Sequence, residues 1–75
     1  MDEKNYLKSF EKFLSSTKFG HSVDIEYHAP GSIIGETEQF YSVSEYYNFE
    51  MYLVGSTWLE DAIYKATEER KNKGW

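Results

Sequence analysis

The chain contains no cysteine, so neither a disulfide nor a thiolate-bound metal can reinforce its fold. It has one proline, Pro30, and no run of about 18 apolar residues from which a membrane helix could be built. The start, MDEKNYLK, is too polar for a signal peptide, and a cytoplasmic protein is expected. The most telling absence is of positive charge. Residues 19–64 hold no lysine or arginine, while eight acids fall there: Asp24, Glu26, Glu36, Glu38, Glu45, Glu50, Glu60 and Asp61. The flanks carry a slight excess of bases, and the whole chain a net charge of −5. An acidic middle repels phosphates and attracts basic surfaces, which argues against direct nucleic-acid binding.

What is present is aromatic. Phe, Tyr and Trp make up 19% of the 75 residues. Each buries roughly 150–250 Å², enough for one small core, and residues 1–75 are read as a single domain. Tyr6, Leu7, Phe10, Phe13 and Leu14 repeat with helical period and predict a helix over 2–16, with Asp2 and Glu3 in its first turn. In HSVDIEYH the period falls to two. Val23, Ile25 and Tyr27 alternate with Asp24, Glu26 and His28, as in a half-buried strand that Ala29-Pro30-Gly31 ends. A second strand is expected over 36–41, with the connection HAPGSIIG as a candidate functional loop and Ile33 and Ile34 either in it or at the strand's start.

Residues 44–54, SEYYNFEMYLV, admit two readings. Strict alternation fits a strand. Ser42-Val43-Ser44-Glu45 fits a capping box, Gly55 a helix stop, and Thr57-Trp58-Leu59-Glu60 a second box before a last helix over 58–72. The boxes favour a helix. On a helical wheel Tyr46, Phe49 and Leu53 make one apolar facet, and Tyr47, Met51 and Val54 a second, suited to a terminal helix or to another chain. The expected fold is α+β: an N-terminal helix, a two- or three-stranded antiparallel sheet and two C-terminal helices, in the order α-β-β-α-α. The alternative is α-β-β-β-α, which resembles a double-stranded-RNA-binding domain in outline, without the basic residues such domains place on phosphates.

Motifs for catalysis are missing. Asp24, Glu26 and His28 share a strand face, but neighbours there stand roughly 6.5–7 Å apart, too wide for one metal ion. His21 and His28 have no zinc spacing, there is no GxSxG elbow, and Gly31-Ser-Ile-Ile-Gly35 lacks the lysine of a phosphate loop. No cofactor, metal or enzymatic activity is expected.

The run VSEYYN with the later WLEDAI resembles antirestriction proteins. The small acidic chain is similar in type to the inhibitors of phages and mobile elements, anti-CRISPR proteins included. The resemblance implies a non-enzymatic inhibitor, in many such proteins a nucleic-acid mimic that offers acids in place of phosphates to a basic site on a nucleic-acid enzyme or effector complex. Asp24, Glu26, Glu36, Glu38, Glu45 and Tyr52 are the expected partner contacts. A homodimer or adaptor built on Tyr47, Met51 and Val54 is the alternative.

Overall fold

A computed structural model describes residues 3–32, 34–35 and 37–75, with side chains from residue 8 onward within that set. The elements run α1 (Glu3–Ser15), β1 (Ser22–His28), β2 (Phe40–Tyr47), β3 (Glu50–Ser56) and α2 (Leu59–Asn72). The three strands form one antiparallel sheet in the order β1-β2-β3. The class is therefore α+β, in the α-β-β-β-α order. There is one C-terminal helix, not two.

The region expected to be helical is a β-hairpin. Tyr47 pairs with Glu50 across Asn48 and Phe49, whose φ values of 52° and 65° mark a two-residue type I′ turn. Such turns favour Asn-Gly, and the missing glycine is what hid this one from the sequence. The Ser42–Glu45 box caps nothing, because those four residues alternate across β2. Gly55 is no helix stop either. It lies within β3, and a Cβ there would overlap the Phe40 ring, which covers the bare strand. The second strand begins at Phe40 rather than at 36, and only Phe40 and Tyr41 of the expected span belong to it.

The turn after β1 forms as its residues dictate. Ser32 N–H donates to the Ala29 carbonyl at 3.0 Å, with Pro30 second and Gly31 third at φ 82°, a type II turn.

Both helices pack on one side of the sheet, α2 against β2 and β3, and α1 against α2. The inward side chains of the strands and the apolar stripes of the helices meet in a core of Phe13, Val43, Tyr52, Ala62, Ile63 and Ala66. The result is two layers, with extents of 35 × 31 × 17 Å. Phe13 of the N-terminal stripe is buried as expected, Phe10 packs beside the core and Leu14 stays half open. Asp2, Ile33 and the side chains of Tyr6 and Leu7 lie outside the described residues. At its start α2 has Trp58 in the cap position without a side-chain bond, so the second expected box is not formed. Its end is a Schellman motif: Gly74 at φ 74° donates to the Lys71 carbonyl, and Trp75 N–H to the Arg70 carbonyl at 2.9 Å. That reversal carries Trp75 back over the sheet.

Candidate interaction surface

Alternation along the strands sorts the predicted site residues onto opposite sides of the sheet. Val23, Ile25 and Tyr27 of β1 point toward the helices with Tyr41, Val43, Glu45 and Tyr47 of β2, and with Tyr52 and Val54 of β3. The other phase points outward, away from both helices.

Glu45 and Tyr52 are thereby core residues, which corrects the expectation that they meet a partner. They face each other across the β2–β3 ladder. The Glu45 side chain is fully buried, and three donors converge on it. Tyr52 Oη donates to Oε1 at 2.7 Å, Arg70 Nε to Oε1 at 2.8 Å, and His21 Nδ1 lies 2.9 Å from Oε2. Burial alone would push the Glu45 carboxyl up, but the bonds from Tyr52, Arg70 and His21, with the Arg70 charge, outweigh it and hold the group below its ordinary range. Burial first, and then the bond to Glu45, drive the Tyr52 phenol upward.

Arg70 also donates through Nη1 to the Phe13 carbonyl and Ser16 Oγ, and through Nη2 to Thr17 Oγ1, each at 2.9 Å. The guanidinium thus closes the open carboxyl end of α1 and ties it to α2 and β2. Aromatic rings seal the network. His21 stacks on Tyr47 at 4.1 Å between centroids, and Trp75 stands edge-on to His21 at 5.1 Å. Reasoning from the sequence missed His21 and Arg70 as partners of Glu45. The available signal was that Arg70 is the sole arginine among seven lysines, at a place where a planar, many-donor group is needed.

Asp24 and Glu26 are brought together on the outer face of β1, both exposed. His28 continues their row, its Nε2 3.6 Å from Glu26 and 3.4 Å from Ser42 Oγ. Among the described residues no three His, Cys, Asp or Glu side chains cluster closely enough to hold a metal ion. Glu38 is exposed two residues before β2, and Glu36 lies outside the described residues.

The second helical facet dissolves in the hairpin. Tyr47 faces inward onto His21, Val54 packs on the core, and Met51 faces outward. A different apolar group takes its place. Tyr46 pairs with Met51, Leu53 stands opposite Ser44, and all three are about half exposed or more on the outer face. Phe49 projects from the turn beside them, 91% exposed. The outer face thus runs from acids on β1, through Ser42 and Ser44 flanked by Phe40 and Tyr46 on β2, to Met51 and Leu53 on β3, without a lysine or arginine on any strand.

Fold and surface together define a class: a small two-layer α+β domain whose helices cover one side of a three-stranded sheet and leave the other open. Comparison with family models, curated proteins and solved structures finds no match for the chain. Among the described residues no helix is long and apolar enough to cross a membrane.

Proposed function

We propose that this protein is a non-enzymatic binding module, an inhibitor in type, whose open sheet face engages a basic site on a nucleic-acid enzyme or effector complex. The observation that carries the reading is the composition of that face. Asp24 and Glu26 stand exposed on β1, Tyr46 on β2, and Met51 and Leu53 on β3, and the strands bear no lysine or arginine between them. Acids steer a basic partner and fix its register, while exposed aromatic and aliphatic groups provide the area that holds it. Glu38, exposed two residues before β2, is a further acid available to such a partner.

The test is capture from native cells with wild-type bait and with the double charge reversal Asp24→Lys and Glu26→Lys, whose outward positions leave the core untouched. Binding to a basic partner that weakens at least about tenfold in the reversed bait, and weakens in wild type as salt shortens screening to about 8 Å near 0.15 M, supports the reading. Equal retention by both baits, or an affinity flat with salt, overturns it.

A second copy of the chain is the alternative partner, favoured by the exposed Tyr46–Met51 pair and Leu53. It predicts a mass in sedimentation that rises with concentration and returns to the monomer in Met51→Asp or Leu53→Asp.

A further inference from the structure

We propose that β1 is a strand-addition site, whose free edge takes an extended segment of a partner with lysine or arginine on one face and aliphatic side chains on the other. This deepens the proposed function and rests on it, by naming the conformation and pattern of the bound segment. β1 ends the sheet, with only β2 paired to it. Among the described residues, no backbone group of 22–28 bonds to anything outside that ladder. In an antiparallel edge strand alternate residues turn their N–H and C=O groups away from the sheet, a ready template for another strand.

Proteins ordinarily blunt such an edge with charged side chains, lysine above all, with proline, a bulge, an inward-pointing charge or a covering element; the charges of β1, Asp24 and Glu26, point outward and are both acidic. β1, Ser-Val-Asp-Ile-Glu-Tyr-His, has no lysine or proline, and its register runs unbroken through seven pairs from Ser22↔Tyr46 to His28↔Phe40. At the opposite edge of the sheet, Lys65 of α2 donates to the Gly55 carbonyl of β3 at 3.1 Å; no such side chain reaches the backbone of β1 among the described residues.

Side chains on β1 specify the occupant. Asp24 and Glu26 point outward, so residues opposite them in an added strand, roughly 4.5–5.5 Å away at Cβ, are best basic. Val23 and Ile25 are half-buried and Tyr27 is 55% exposed on the inner side, where aliphatic residues of an added strand would continue the apolar layer. A second copy of β1 is a poor occupant. Antiparallel self-pairing centred on Ile25 sets Asp24 against Glu26 twice, and like charges directly opposite destabilise a pair.

A blocked heptapeptide alternating lysine and valine is the probe, added to the uniformly 15N-labelled full chain. Two further versions carry N-methyl groups on alternate backbone amides, one in each phase, and a fourth replaces lysine by glutamate. An added strand bonds through only one of its edges. The expected result is that the parent peptide shifts and protects backbone amides of residues 22–28, that one methylated phase binds within about threefold of it, and that the other loses about tenfold or more. The glutamate peptide should not bind. Failure of the parent peptide to bind, or equal binding by both methylated phases, overturns strand addition. Equal binding by both phases that is still lost in the Asp24→Lys, Glu26→Lys chain leaves the open-face reading standing, so the two ideas fail separately.

Discussion

Arg70 is the residue on which the most elements depend. Its guanidinium reaches Glu45 on β2, a carbonyl of α1 and two hydroxyls just beyond it, and lies 3.9 Å from the centre of the Phe13 ring. Lysine offers a single ammonium with three donors and no plane to stack, so it cannot serve these four acceptors together. Arg70→Lys should lower unfolding free energy by about 3 kcal/mol in a denaturant titration, because Glu45 would then be buried with an incomplete shell. Tyr52→Phe should cost less, about 1–2 kcal/mol, since Arg70 still serves the same oxygen. If the two variants lose equal stability, the arginine is not the hub that its bonds imply.

At the scale of elements, the β2–β3 hairpin shows local preference giving way to pairing. Phe49 holds a left-handed backbone at φ 65° with its ring in water, where a side chain costs about 1 kcal/mol relative to glycine. The cross-strand pairs Val43–Val54 and Glu45–Tyr52 offset that cost, since the same register buries Val43, Glu45 and Tyr52 and packs Val54 against the core. Phe49→Gly is expected to raise the melting temperature by about 4 °C, read by circular dichroism, from a gain of about 0.5–1 kcal/mol. A lower melting temperature would mean that the Phe49 ring packs on its neighbours. Gly55 predicts the opposite sign. Gly55→Ala drives a methyl into the Phe40 ring and should destabilise by about 1–3 kcal/mol.

For the whole molecule, the two-layer form leaves few interior places for charge, and the buried Glu45 carboxylate couples folding to pH. Glu45 titrates below its ordinary value of 4.5 in the native state. A carboxyl of lowered native pKa contributes stability that is complete above its unfolded pKa and is lost as pH falls through the native one. Glu45→Gln should therefore be about 3–5 kcal/mol less stable than wild type at pH 7, with Arg70 left buried and unpaired. The gap should narrow below about pH 4.5, as the wild-type carboxyl itself becomes neutral. Paired melts from pH 7 to pH 3 check this, and a constant gap would locate the Glu45 contribution in shape and not in charge. Outside the core, the basic flanks fold onto the helix side through α1 and α2, and the strands are left with acids alone. This separation of charge is a property of the folded object.

Much of this was legible in the residues alone. Periods of 3.6 at Phe10 and Phe13, and of 2 at Val23 and Ile25, determine α1 and β1, because those spacings put apolar groups on one side of a helix or strand whatever surrounds them. Pro30-Gly31 determines the turn and Gly74 the end of α2, since both act through their own backbone. Asp24 and Glu26 were likewise readable as outward acids. Residues 42–55 were not, because alternation and capping signals coexist there and each is locally consistent. Tertiary structure decided between them: as a helix the segment would spread its aromatics over two facets, whereas as two strands it buries Val43 and Tyr52 against α2 and brings Glu45 within reach of Arg70, 25 residues away. Long-range pairing of a buried charge has no local signature, so the fate of Glu45, like the open face and the free edge of β1, was set only when the layers closed.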